Sequence, residues 1–157
     1  MGRPQPSDDM EEPDLRHAET LEELRACFAV MHELRPRLRD EADFLDRVAR
    51  MRGSGYRLMA AWRDGRPVAL SGYRLEENLV YGRFLYVDDL VSASHSRGQR
   101  WGALLLREME SIARREGCAR LVLDTALSNA LAQRFYFRQG LVSAAMGFVK
   151  ELEENPA

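Results

Sequence analysis

Lysine is almost missing from this chain: Lys150 is the only one, and arginine carries the rest of the basic charge. That bias reflects codon usage or lineage rather than chemistry. Cysteine is scarce too. Cys27 and Cys118 stand far apart, which leaves no CxxC pair and no zinc-type spacing. Both sit among apolar neighbours, as expected of buried free thiols. No apolar run reaches membrane-spanning length, and the N-terminus lacks the apolar core of a signal peptide. A soluble protein of the reducing cytoplasm is the expectation. The net charge of -2 gives no support to a nucleic-acid partner. No ligand cluster suggests a metal, and no Ser/His/Asp or Cys/His set suggests a covalent intermediate.

What is present suits one folded domain. The chain has 157 residues, 45% of them hydrophobic and 31% charged, enough for a sizeable core. Residues 1–13 are rich in Pro, Asp, Glu and Ser and read as a disordered leader. Residues 14–152 form the domain, and 153–157 a frayed polar tail. Leu15–Ala18 fits a short strand. Thr20 and Glu23 form a capping box, followed by Leu21, Leu24, Cys27, Phe28, Met31 and Leu34 at helical spacing. This helix ends near Arg35-Pro36. A second runs from Glu41 to Met51 and stops at Gly53-Ser54-Gly55.

Three strands of a meander follow: Tyr56–Trp62, Arg66–Leu75 and Leu79–Val91, with turns at Asp64-Gly65 and Glu76-Glu77-Asn78. A helix starting near Trp101 and ending at Gly117 leads to a short strand, Ala119–Thr125. Strand, helix and strand make a βαβ unit, so this strand lies parallel to the one before the helix. A last helix starts near Ser128-Asn129 and ends at Gly140. Leu141–Leu152 is strand-like in part and interrupted by Gly147. The fold class is mixed α/β.

The organising stretch is Asp88 to Leu106. It reads as a strand end, a loop with two glycines, and the first turns of a helix. A helix start offers unpartnered backbone N–H groups and positive potential, a site for phosphate or another anion. Gly98 and Gly102 would let a ligand approach the backbone closely. Arg97 and Arg100 add positive charge beside them.

Arg97-Gly98-Gln99-Arg100-Trp101-Gly102 resembles the pyrophosphate loop of the GNAT superfamily, the acetyl-CoA-dependent N-acetyltransferases. The family pattern is Gln/Arg-x-x-Gly-x-Gly/Ala. Arg97 and Gly102 match its ends, and Arg100 replaces its first glycine. Ser92 stands for a common Val and Ser94 for a common Pro. A second stretch, Asn129 to Leu141, resembles the family pattern Asn-x-x-Ala-x-x-x-Tyr-x-x-x-Gly-Phe. Asn129, Ala132, Tyr136 and Gly140 match, and Leu141 replaces Phe. The two motifs stand at the family's separation, and the resemblance covers roughly Leu15 to Leu152.

The resemblance implies a GNAT-like fold, with a mostly antiparallel central sheet and a parallel βαβ split at the CoA site. Acetyl-CoA would be the cosubstrate, with no metal. Leu90, Val91 and Ser92 would hold its pantetheine arm, while Arg97, Gly98, Gln99, Arg100, Trp101, Gly102 and Ala103 would hold the pyrophosphate. Asn129 and Tyr136 would line the other side. An amine would attack directly in a ternary complex. Tyr136 would be the acid, since a phenol with a pKa of about 10 is protonated at neutral pH.

Asp88 or a water near it would be the base, with Asp89 the alternative. Neighbours on a strand point to opposite faces unless a bulge intervenes. The acceptor stays open. A polyamine or other small cationic amine suits two adjacent aspartates, and a peptide amine, an aminoglycoside or an amino acid are the other choices. Dimers are common in the family, so a homodimer is implied as well. The competing reading is a non-catalytic acyl-CoA sensor or a protein-interaction domain on the same scaffold. His95 and His32 read as solvated residues, and Trp62 and Tyr73 as core or dimer surface.

Overall fold

A computed structural model describes residues 13–98 and 100–153. Strand β1 (Asp14–His17) leads through the Thr20 capping box into α1 (Leu21–Leu34), which is followed by α2 (Glu41–Arg52). The meander is β2 (Arg57–Arg63), β3 (Arg66–Asn78) and β4 (Gly82–Ser92). A single 3-10 turn, Ser94–Ser96, precedes α3 (Trp101–Arg115), β5 (Arg120–Leu123) and α4 (Ala130–Arg138). The five strands form one sheet in chain order, antiparallel except for the parallel β4–β5 pair.

Two apolar layers sandwich the sheet. Leu24, Cys27, Val30, Met31, Phe44 and Val48 of α1 and α2 pack on Leu58, Ala60, Trp62 and Leu70. On the opposite face, Trp101, Leu105, Met109 and Ile112 of α3 pack on Met59, Ala61, Leu85 and Val87. Alternation along β2 sorts its residues between these layers. Trp62 and Tyr73 belong to the core, and the Tyr73 hydroxyl lies 2.7 Å from His17 Nε2. Cys27 is fully buried, and burial pushes its thiol up to about 12. Cys118 is half-buried, and neither cysteine is in a disulfide.

Three sequence expectations are corrected. Glu76-Glu77-Asn78 is not a turn but the end of β3, and the chain reverses over residues 79–81. Asn78 sets that reversal, its Oδ1 accepting from the amides of Val80 and Tyr81 at 3.0 and 2.7 Å. Leu141–Leu152 forms no strand, for it has no neighbouring strand to pair with. β5 is also shorter than Ala119–Thr125, because it has a partner only along four residues of β4. The expected leader and tail lie largely outside the described residues.

Candidate active site

The site is built where β4 and β5 part. Their ladder joins Phe84–Val87 to Arg120–Leu123 and goes no further. Just past it, Tyr86 donates its hydroxyl to Asp124 Oδ2 at 2.6 Å, tying the two strands together at the fork. Burial and this carboxylate push the Tyr86 phenol above its ordinary value. Beyond the fork β4 continues through Asp88, Asp89, Leu90, Val91 and Ser92, paired to β3 on one edge only. Backbone groups on the other edge have no strand partner.

A bulge lies at the fork. Tyr73 pairs with Val87 and Gly72 with Asp89, so Asp88 is the extra residue. Arg35, from the end of α1, fixes it: Nη2 donates to the Asp88 carbonyl at 2.8 Å and Nε to Asp89 Oδ1 at 2.9 Å. The Asp88 carboxylate is held at two points by Arg74, at 3.0 and 2.7 Å. Asp89 is buried, and its Oδ2 accepts from the Tyr56 hydroxyl at 2.8 Å. Burial first and then the Asp89 charge raise the Tyr56 phenol well above its usual range. The two adjacent aspartates therefore do not present two free negative charges, since each carries an arginine.

The loop after β4 is held from the opposite layer. Glu33 of α1 accepts the Ser94 amide with both carboxylate oxygens, at 3.1 and 3.2 Å. His95 is exposed in the 3-10 turn, and His32 is exposed and packs against the Phe28 ring. Gly98 has φ +86° and open space around it. Arg100, at the position of the family's first glycine, adopts φ +61°, the left-handed conformation glycine favours. It precedes Trp101, Gly102 and Ala103 as the N-cap of α3 but contributes no side-chain cap, whereas Thr20, Asp40 and Asn129 cap the other three helices. Arg97 is exposed at the same turn, and Gln99 lies outside the described residues.

Gly102 has a packing neighbour in α4. A Cβ there would meet Phe135 Cζ at 3.2 Å, so this glycine lets α4 pack closely against α3. Asn129 caps α4 through Oδ1, which accepts from Ala132 at 3.1 Å. Tyr136 is half-buried on α4, its ring centroid 5.4 Å from that of Phe135, and burial raises its phenol. Among the described residues no group of His, Cys, Asp and Glu is placed to hold a metal, and no helix is long and apolar enough to cross a membrane.

On the α1–α2 side a groove of about 450 Å³ opens beside Asp89 and Tyr56. Met31, Leu34, Phe44 and Val48 form its apolar wall, and Arg35, Arg37 and Arg47 bring charge to it. Sequence reasoning missed Arg35, Arg74, Tyr56 and Glu33. None sits in a motif: Glu33 and Arg35 come from α1 and its end, Tyr56 from just before β2, and Arg74 from β3.

The family model for acetyltransferases of the GNAT family matches residues 17–141. The chain belongs to the GNAT acetyltransferase family. It is an acyltransferase. An aminoalkylphosphonate N-acetyltransferase of Salmonella typhimurium is 29% identical over 141 residues, covering 88% of this chain and 91% of the relative. An aminoglycoside N(6')-acetyltransferase type 1 of Serratia marcescens is 29% identical over 96 residues, 59% of this chain and 61% of its own. Among solved structures, the aminoglycoside acetyltransferase AAC(6')-Iy, in complex with a bisubstrate analogue, superposes with a TM-score of 0.77 at 14% identity, covering 90% of this chain and 99% of that one. The GNAT-like fold read from the two motifs, with its parallel split, is the fold observed.

Proposed function

We propose that this acetyltransferase uses acetyl-CoA to acetylate a small amine that also carries an anionic group, in one step within a ternary complex. The observation that carries the reading is the fork itself. One edge of β4 from Asp88 to Ser92 lacks a strand partner, and an uncapped helix start follows the loop. Those features fit an amide-bearing arm and a pyrophosphate respectively. Leu90, Val91 and Ser92 would take the arm. Arg97, Gly98, Arg100 and the first turn of α3 would take the phosphates, with Gln99 assigned from the motif alone. Asn129 would offer its Nδ2, since its Oδ1 already caps α4. When bound, acetyl-CoA supplies an activated acetyl group on sulfur.

The chain's own residues supply positioning and proton transfer. Tyr136 keeps its proton at neutral pH, and burial raises its phenol further, so it can donate to a departing sulfur. Asp88, pinned by Arg74, would receive the amine's proton through a water. Two unpaired cysteines and a CoA-dependent reaction fit the cytoplasm.

The acceptor's anionic group follows from the charges beside the fork. Asp88 and Asp89 are matched by arginines, so a polycation gains little there. Arg37 lines the groove with no ion-pair partner among the described residues. The Salmonella relative named for aminoalkylphosphonates has an acceptor of this kind.

The test is thermal unfolding with acetyl-CoA, followed by thiol release with 2-aminoethylphosphonate and with spermidine. A ligand at a hundred times its Kd adds about 2.7 kcal/mol, a rise of roughly several degrees. That rise and turnover on the phosphonate are expected. No rise would remove the CoA assignment, and turnover on spermidine alone would remove the acceptor assignment.

A further inference from the structure

The groove between α1 and α2 differs in kind from the charged fork beside it. Its volume of about 450 Å³ suits a pocket that encloses most of a small ligand. Met31, Phe44 and Val48 are buried side chains of its wall, and Leu34 and Leu38 are half-buried. Met51, 37% exposed at the end of α2, forms the rim. These side chains present carbon and thioether sulfur, and nothing that hydrogen-bonds strongly.

The polar groups of the groove are already engaged with one another. The Tyr56 hydroxyl donates to Asp89 at 2.8 Å, Arg35 donates to Asp89 at 2.9 Å, and Arg47 donates to Asp43 at 3.0 Å. Arg37 is the exception, exposed and with no ion-pair partner among the described residues. That inventory selects by chemistry. A ligand hydroxyl or second ammonium laid against this wall would give up its water and meet no partner. Apolar surface placed there gains instead. An aminoglycoside is therefore a poor fit, and a two-carbon aminophosphonate would leave most of the wall in water.

We propose that the acceptor is an amino acid or aminophosphonate with an apolar side chain, branched aliphatic or aromatic, which lies against the α1–α2 wall while its anionic group meets Arg37. The apolar body is an addition to the acceptor reading above and rests on it. The amine is left at the Asp89 end of the groove, where the fork begins. The transfer stays balanced: the amine nitrogen bonds to the acetyl carbonyl carbon, the carbon–sulfur bond breaks, the amine's proton passes to the water at Asp88, and the CoA sulfur takes the proton of Tyr136.

The test is calorimetry of acceptors on the full chain with CoA present, followed by thiol release with acetyl-CoA. Each series keeps the amine and the anion and enlarges the side chain: alanine, leucine and phenylalanine, and the phosphonates with the same side chains. A buried methylene is worth about fourfold in affinity, so Kd should fall about tenfold or more from the methyl to the isobutyl member of at least one series, with kcat/KM following it. Which series falls names the anion. A Kd that is flat or rises in both would overturn the proposal, as would acetylation of neamine at a higher kcat/KM than any apolar acceptor. Met51→Gln and Leu38→Gln put a polar group on the wall and should flatten the steps seen with the parent chain. Steps that stay as steep in both variants would place the side chain outside this groove and overturn it. Turnover of 2-aminoethylphosphonate with flat series would remove the apolar body alone. No thermal rise with acetyl-CoA would remove the acceptor reading and the apolar body together.

Discussion

Tyr56 reaches Asp89 across Gly72: the phenol donates to Oδ2 at 2.8 Å, and a Cβ on Gly72 would lie 2.0 Å from that hydroxyl and 2.6 Å from the carboxylate oxygen. The glycine is there to leave room. A buried carboxylate is costly unless its lone pairs are satisfied, and here Tyr56 and Arg35 satisfy them from α1 and β2 sides of one sheet layer. The bulge at Asp88, and with it the fork, is held by the same arginine.

Tyr56→Phe should lower stability by about 1–3 kcal/mol, the usual cost of leaving a buried acceptor without its donor. Gly72→Ala should cost at least as much, because the new methyl displaces the same phenol. The double variant should fall short of the sum, since both substitutions break one bond. Urea unfolding of the three variants measures this. Additive losses would mean that Gly72 and Tyr56 act separately.

Tyr136→Phe removes a hydroxyl and little volume. If that hydroxyl donates in the transition state, kcat should drop on the order of 100-fold, while the thermal shift with acetyl-CoA stays as in the parent chain. An unchanged kcat would leave Tyr136 as a packing residue beside Phe135.

Asp88→Asn keeps the size of the side chain and removes its charge and its ability to accept a proton. Turnover should fall about 100-fold, with acetyl-CoA binding retained. Asp89→Asn should behave differently: its carboxylate is buried between Tyr56 and Arg35, so the main loss should be in unfolding free energy. A larger loss of kcat in the Asp89 variant, with stability intact, would exchange the two roles.

The contrast between these aspartates shows what a sequence can carry. The fork, the helix after it and the Asn129–Gly140 stretch were legible because each rests on local spacing: a strand, a glycine loop and a capped helix. Arg100 was legible only as a departure. The structure accounts for it through a left-handed φ that arginine can adopt at a helix start. The partners of Asp88 and Asp89 were not legible, because Arg35, Tyr56 and Arg74 lie 53, 33 and 14 residues away, and only the sheet register and the packing of α1 on the sheet bring them there. Leu141–Leu152 is strand-like in part, but a strand exists only with a neighbour, which local sequence does not supply.

Arg37→Ala should raise KM for an acceptor with a phosphonate or carboxylate by roughly tenfold, the equivalent of about 1.4 kcal/mol. kcat should change little. For an amine of similar length without the anion, KM should not move. Equal effects on both acceptors would show that Arg37 shapes the loop without reading charge.

Asp43 holds Arg47, which lines the same groove. It is buried at the start of α2, where Oδ2 accepts the Arg39 amide at 3.1 Å and Oδ1 meets Arg47 Nε at 3.0 Å. The Arg39 backbone N–H first, then the Arg47 side chain, hold its carboxyl far below the ordinary value. A carboxylate whose pKa is depressed by folding stabilises the fold above its unfolded pKa of about 3.9, and the contribution is lost as pH falls below that. Stability should therefore be flat with respect to this group near neutrality and decline on acidification below about pH 4. Asp43→Asn should be less stable than the parent chain at pH 6, and the gap should narrow toward pH 3. Because Arg47, which Asp43 holds, lines the groove, the variant should also weaken acceptor binding at neutral pH more than it weakens acetyl-CoA binding. Urea midpoints at the two pH values, together with KM for each substrate, decide it: a gap that stays constant with pH would mean that the Asp43 charge contributes nothing to the fold.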